Sequence, residues 1–365
     1  MHSVVHHGSV LQAYATQTLL ESLGHEVYII DYAYPNNWQI SHGMQVYKPS
    51  IVTKIGRQLG LKPHHRKWKK IRSFMRKYYK LTRRYSDLNA LERNTPVFDV
   101  YLSGSDQIWN PHFTCSDPAY YFSFLPDGSN IMSFSSSFAC ESLDNSIAER
   151  IKKYLSRYKF ISVRENNGAN IIADLLGTKP AVTLDPTLMV SKTNWIKFLQ
   201  PSCISGEYIF LYVLDYAFDP KPYIYDVTKY FSEKYNKQVI SMKEIPVEYG
   251  IKNKVKADVG IEDFLSLIDN SFMVITSSFH GVAFSVNFGK PVVGVVKQTA
   301  DDDRVSSLLR NLGLDKNIAK IGDDFNSISP FYDFEKEQDM LNSLRDETNI
   351  YLNSALSYFG NKHYE

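Results

Sequence analysis

Three cysteines in 365 residues, Cys115, Cys140 and Cys203, are too few and too scattered to staple a fold. There is no CxxC pair and no Cys/His spacing that would set four ligands around zinc, so a reduced compartment and no metal framework are expected. No stretch approaches the roughly 18 consecutive apolar residues that a membrane-spanning helix needs. The opening MHSVVHHGSV has neither the cationic start nor the apolar run of a secretory leader. The expected location is cytoplasmic, with any membrane contact peripheral and at the inner face. GxGxxG, a Walker loop and a GxSxG elbow are also missing, so no cofactor is expected and a serine hydrolase built on Ser105 is weakly supported.

Acidic residues are missing from one place in particular. Residues 32–86 contain no Asp or Glu but 14 Lys/Arg, so the formal charge of +2 conceals a remainder with 27 basic against 39 acidic residues. A basic block on an acidic body points to an anionic partner. Inside it, 66–80 (RKWKKIRSFMRKYYK) sets Trp68, Ile71, Phe74, Met75 and Tyr78 on one helical face and cations on the other, between two Pro-flanked loops. Two readings of 62–84 stand side by side: docking onto anionic lipid headgroups or a diphosphate-linked lipid acceptor, or a solvated face packed on the acidic body. No RNP, helix-turn-helix or zinc signature supports nucleic acid as the partner.

The composition itself is that of a globular protein, 44% hydrophobic and 22% charged, and the length predicts two domains. SVLQAYATQTLLESL (9–23) reads as a helix stopped by Gly24, and VYIIDY (27–32) as a buried strand. Only Met1 to His7 precede that helix, so a first strand is either very short or the sequence begins late. Further strands are expected at 97–102, 131–134, 160–165, 181–189, 208–214, 237–241, 272–276 and 291–296. Helices are expected near 144–157, 167–176, 221–235, 261–269 and 303–312. The last 30 residues read as helical, with Leu341, Leu344, Ile350 and Leu352 as apolar positions. The expected class is α/β, two Rossmann-like units facing a cleft, divided as 1–188 (with a basic insert at about 48–86), 189–335 and a helical tail, 336–365.

Small polar residues directly after strands mark the carboxyl edge of such a sheet, where ligands sit. SSFHG (277–281) passes from a strand through His280-Gly281 into an apolar helix, which makes an anion site with an imidazole beside it, or else a histidine filling a turn. Arg304, after Asp301–Asp303, could meet a phosphate or carboxylate, or pair with its acidic neighbours. Arg164-Glu165 poses the same choice. In GSDQIWNP (104–111), Asp106, Gln107 and Asn110 offer hydrogen bonds and Trp109 a flat apolar plate, the kit of a sugar site or of a capped, packed loop.

Taken in order, GSVLQAYATQTLLESLGHEVYIIDY, SGSDQIWNP, SFSSSFA, ISVRE, TLDPTLM and SSFHGVAFSVNFGKPVV resemble the polysaccharide pyruvyl transferase family over about residues 8–314. The resemblance implies a GT-B-like pair of Rossmann-type domains. It also implies transfer of a pyruvate-derived group from phosphoenolpyruvate to two hydroxyls of one sugar, in a polysaccharide or lipid-linked glycan, giving a cyclic ketal and phosphate. By position His280 and Arg164 fall to the donor, with Ser278 and Gly281. Ser278 stands where many relatives carry arginine, a gap that Arg304 or Lys297 could fill. Gly8, Ser9, Asp106, Gln107, Trp109 and Asn110 are expected on the acceptor side, with His280 as the general acid or as the group that holds the phosphate while another acid acts, and Asp106 in acceptor binding or as base. The alternatives are a GT-B glycosyltransferase using a nucleotide sugar, and a non-catalytic glycan- or lipid-carrier-binding protein of the same fold.

Overall fold

The computed structural model describes residues 2–45, 49–201, 204–299 and 304–360. Lys48, Cys203 and Asp301–Asp303 lie outside the described residues. The first half supplies β1 (Ile29–Tyr32), β2 (Leu81–Tyr85), β3 (Tyr101–Ser103), β4 (Ile131–Ser133), β5 (Ser162–Val163) and β6 (Ala181–Val182). They pair in parallel as β1–β2, β3–β4 and β5–β6. A bridge between Met132 and Phe160 sets β5 alongside β4. The second half carries β7 (Tyr208–Tyr212), β8 (Gln238–Ser241), β9 (Asn253–Val255), β10 (Met273–Thr276), β11 (Val292–Val296) and β12 (Ile318–Lys320). These form one parallel sheet in the order β12-β11-β10-β7-β8-β9. YIFLY, MVIT and VVGVV are buried along their whole length. Unbroken apolar runs of this kind belong to parallel strands covered on both faces. The fold is therefore mixed α/β with parallel sheets.

The helix His7–Ser22 is buried nearly all round, with Val10, Leu11, Tyr14 and Leu19 in the core. Its Tyr14 ring meets Phe74, Trp195 and Phe198. It thereby joins the basic segment to the second half. The helix Pro63–Tyr78 lays down Ile71, Phe74 and Met75 and starts with proline where no amide bond is lost. Two of its cations meet acids of the second half, Arg66 with Asp258 at 2.9 Å and Lys70 with Asp263 at 2.7 Å.

Several elements differ from expectation. The basic block also holds two helices, Asn37–Ser41 and Ile51–Leu59, and β2, where loops were expected. Of 181–189 only Ala181–Val182 is strand, because Asp185 caps the amide of Thr187 and Pro186 opens the helical turn Pro186–Met189. Among the described residues no strand precedes the first helix: residues 2–5 are turn and bend. The tail is one helix, Phe334–Gly360, that returns to the first half, where Tyr351 Oη donates to the Ser133 carbonyl at 2.6 Å. Leu341 and Leu352 are buried as expected, but Ile350 is exposed.

Candidate active site

The strand ends and one helix start deliver the charged groups to a common place. After β3 the chain turns at Asp106, which holds a φ of 70°, a left-handed value that Asp tolerates better than most residues. The turn after β5 gives Arg164 and Glu165, that after β6 gives Asp185, and that after β10 gives Ser278 and His280. Ser9 comes from the first turn of the helix His7–Ser22, and its hydroxyl donates to Asp106 Oδ2 at 2.9 Å.

Arg164 is the hub. Its Nη1 donates to Asp185 Oδ2 at 2.6 Å and its Nη2 to Asp106 Oδ1 at 3.4 Å, and its guanidinium lies 4.3 Å over the Phe279 ring. With the side chain 1% exposed, Arg164 has its charge met by the protein's own carboxylates. Arg164, expected to meet the donor, meets these two carboxylates in the structure. Asp185 is further held by Ser105 Oγ at 3.1 Å and by the amide and hydroxyl of Thr187.

His280 lies against this network, its Nε2 3.8 Å from Asp185 Oδ2 and without a hydrogen-bond partner although buried. Gly8 makes room for the ring: a Cβ there would sit 2.2 Å from His280 Nδ1. The start of the first helix and the start of the helix Phe279–Asn287 therefore meet at this imidazole. Ser278 caps the second of them by accepting from the Gly281 amide at 3.3 Å. A Cβ on Gly281 would lie 2.5 Å from Thr276 Oγ1, so that glycine serves close packing. With its amide oxygen turned toward Arg304, Gln107 accepts from both terminal nitrogens, at 2.9 and 3.3 Å.

Other expected residues fall elsewhere. Trp109 is fully buried between Tyr121 and Phe138, with ring centroids 5.8 and 5.3 Å away, so it is core and no sugar platform. Asn110 caps the short helix Pro111–Thr114 through the His112 amide. Lys297 is exposed just beyond β11. Three residues that sequence reasoning passed over belong to the site. Asp185 was hidden in an Asp-Pro turn signal. His6 precedes the first helix and lies 3.3 Å from Tyr212 Oη. Lys67, from the basic helix, lines a small cavity with His6, Tyr212 and Lys243.

The electrostatics follow from burial and pairing. Burial pushes Asp106 up, but Arg164, His280, Arg304 and the Ser9 hydroxyl together hold it well below the usual carboxylate range. Asp185 is depressed too, the rise from burial being outweighed by Arg164, His280 and Thr187. Burial lowers His280, only partly opposed by Asp185 and Asp106. His6 is lowered to about 4 by burial and by His280. His2 and His7 are also lowered, chiefly by burial. All four imidazoles are neutral in the fold and titrate near 6.5 when unfolded. Below that value the unfolded chain binds more protons, so their contribution to stability is complete above about pH 6.5 and is lost as pH falls toward the folded values. We expect the melting temperature to drop between pH 7 and pH 5. A flat profile over that interval would show that these rings are already charged in the fold.

Parallel strands thus bring a histidine, two carboxylates and an arginine together at their carboxyl edge. The chain belongs to the polysaccharide pyruvyl transferase family, whose model matches residues 6–296, and it is a transferase. No curated protein sequence matches it significantly. Among solved structures it is similar to one described as "S. aureus MnaA-UDP co-structure", at 12% identity over 93% of this chain and 94% of that one, with a TM-score of 0.48. Another, "Crystal Structure Analysis of the Glycotransferase of kitacinnamycin", is 14% identical over 94% and 92%, with a TM-score of 0.36. Among the described residues no helix is long and apolar enough to cross a membrane.

Proposed function

We propose that the enzyme transfers pyruvate from phosphoenolpyruvate to two hydroxyls of one sugar in a glycan, in a cleft between two Rossmann-like halves arranged as in GT-B proteins. The observation that carries this reading is the buried, unpartnered Nε2 of His280, set between carboxylates at the meeting of two helix starts. A donor with a phosphate and a carboxylate raises the basicity of that ring when it binds. His280 then gives its proton to the methylene carbon of the donor, whose π pair forms the new C–H bond. The central carbon is left cationic and is attacked by the first sugar hydroxyl, whose proton passes to the now neutral His280. Phosphate departs with its C–O pair, and the second hydroxyl closes the ketal and yields its proton to phosphate.

Asp106 is a poor base, because its carboxylate is so strongly held. In this reading it faces the cationic imidazolium and the cationic carbon as a fixed negative charge. Arg304, with Gln107 beside it, meets the donor's anionic groups. Lys67, close enough to act on His6, supplies the cation missing at Ser278. Arg304→Ala is expected to raise half-saturation for phosphoenolpyruvate by about 10- to 100-fold, the range of one charge-assisted contact. Unchanged half-saturation would remove Arg304 from the donor site. Thermal-shift titration should show stabilisation by phosphoenolpyruvate and none by UDP- or GDP-sugars, and the reverse would favour a nucleotide-sugar donor.

A lipid-linked acceptor at the inner membrane face is part of the same reading. Lys62, Lys69 and Arg76 are exposed and available for anionic headgroups, whereas Arg66 and Lys70 are paired with acids.

A further inference from the structure

Five large apolar side chains stand exposed between residues 51 and 61: Ile51 (74%), Val52 (77%), Ile55 (49%), Leu59 (64%) and Leu61 (65%). Single exposed apolar residues need no explanation, whereas a contiguous group marks an interaction site. The first four belong to the helix Ile51–Leu59, and at 3.6 residues per turn they fall within an arc of about 100°, so they form one face. The other side of this helix is the one that packs. Gly56 leaves room for the His65 ring, with which a Cβ would collide, and the Arg57 guanidinium lies 5.5 Å over the Trp68 ring. Contact with the basic helix Pro63–Tyr78 thus turns the apolar face outward.

The ends of the short helix are firmly set. Ser50 caps it by accepting from the Thr53 amide at 3.2 Å. Gly60, at a φ of 70°, stops it, and the Leu61 amide donates back to the Gly56 carbonyl at 3.2 Å. Its 9 residues include the β-branched Ile51, Val52, Thr53 and Ile55, which makes a marginal helix in water unless the apolar face is covered.

Cations frame that face. Lys54 is exposed beside it, and Lys62, Lys69 and Arg76 recur at intervals of about two helical turns as one exposed stripe along the basic helix. By helical spacing the stripe runs next to His65 and Trp68, on which the shorter helix lies. Residues 32–86 contain no Asp or Glu, and Asp258 and Asp263 of the second half are already occupied by Arg66 and Lys70.

We propose that residues 51–61 are a membrane anchor: the helix Ile51–Leu59 lies in the plane of an anionic bilayer, its apolar face among the acyl chains and Lys54, Lys62, Lys69 and Arg76 at the headgroups. An apolar stripe flanked by Lys and Arg without acids is the pattern of an interfacial helix. A protein partner fits less well, because this helix, about 14 Å long, offers far fewer than the roughly 20–30 residues a side of a stable protein interface. Insertion goes beyond attraction through the cations of 62–84, which salt screens, and adds a contact that salt does not reach. The helix Pro63–Tyr78 that carries the anchor also brings Lys67 to the cavity with His6, so attachment sets that edge of the charged cluster near the bilayer. Service to a lipid-linked acceptor rests on the function proposed above; attachment to the bilayer does not.

The test floats the full chain, without phosphoenolpyruvate or sugar, on vesicles of phosphatidylcholine alone or with an equal part of phosphatidylglycerol, at low and high salt. Binding to the anionic vesicles and far weaker binding to the neutral ones are expected. Val52→Ser combined with Ile55→Ser should lower the partition coefficient by about tenfold or more, for the apolar area these side chains bury, and leave the melting temperature unchanged because both are exposed. Lys54→Gln should lower it about fivefold at low salt, the effect of one cation at such a surface. A Val52→Trp chain should lose fluorescence to lipids brominated on their acyl chains, beyond any loss in the starting protein. No binding, equal binding by the serine double variant, or no added quenching would overturn the anchor, and binding indifferent to phosphatidylglycerol would overturn the anionic surface. A chain that ignores vesicles but self-associates, with the serine double variant alone monomeric, would make the occupant a second copy and overturn the proposal as well. Ketal formation on soluble acceptors is untouched by any of these results, so failure of the anchor and failure of the proposed transfer are read separately.

Discussion

His280→Ala is expected to lower kcat for ketal formation by about 100- to 10,000-fold at saturating phosphoenolpyruvate, the span that a positioned acid–base group contributes. The fold should tolerate the change, because the Nε2 atom that is lost makes no hydrogen bond and Gly8 gives way to nothing bulkier. The melting temperature therefore separates a catalytic loss from a structural one. The pH profile separates them again. Burial keeps His280 neutral without donor, so the acid form exists mainly when donor anions face it, and kcat should fall as pH rises through the raised value of the complex. In the alanine variant that alkaline limb should disappear with the activity. Near-normal turnover in a stably folded His280→Ala enzyme would make the ring structural.

The largest effect on stability is expected from Arg164→Leu. The substitution leaves Asp185 and Asp106, 1% and 5% exposed, facing each other's charge without their cation. Removing one partner of a buried ion pair costs about 3–5 kcal/mol, which for most domains is a large part of the total. Arg164→Lys should recover little, since a single ammonium cannot span the two carboxylates that the guanidinium bridges. Combining Arg164→Leu with Asp185→Asn should lose less than the two changes summed, because each already removes their common contact. Urea denaturation checks all three. A loss below about 1 kcal/mol for Arg164→Leu would mean that water or rearrangement readily replaces the guanidinium.

These outcomes rest on a site whose outline was legible in the sequence. Each strand that feeds it ends in small or polar residues, SGSD, VRE and SSFHG, which is how a parallel sheet exposes its carboxyl edge. The groups that failed to show did so for definable reasons. Asp185 carries the signature of a turn, and a cap and an ion-pair partner look alike along a chain. Lys67 sits in a dense run of cations, where periodicity distinguishes apolar from polar faces but not one lysine from the next. Trp109 was misleading in the opposite sense: an aromatic among polar residues looks like a sugar platform until Tyr121 and Phe138 close over it. The first helix was recognisable, yet its burial on nearly every side depends on contacts from Phe74 and Trp195 far along the chain.

The most direct test of pyruvyl transfer is mass analysis of a panel of defined sugars and lipid-linked glycans incubated with the enzyme and phosphoenolpyruvate, with phosphate release followed in the same samples. The account predicts an acceptor that gains one pyruvate less one water, with one phosphate released per ketal and neither product in the absence of acceptor. Phosphate release without sugar modification, or modification only when a nucleotide sugar replaces phosphoenolpyruvate, would contradict it.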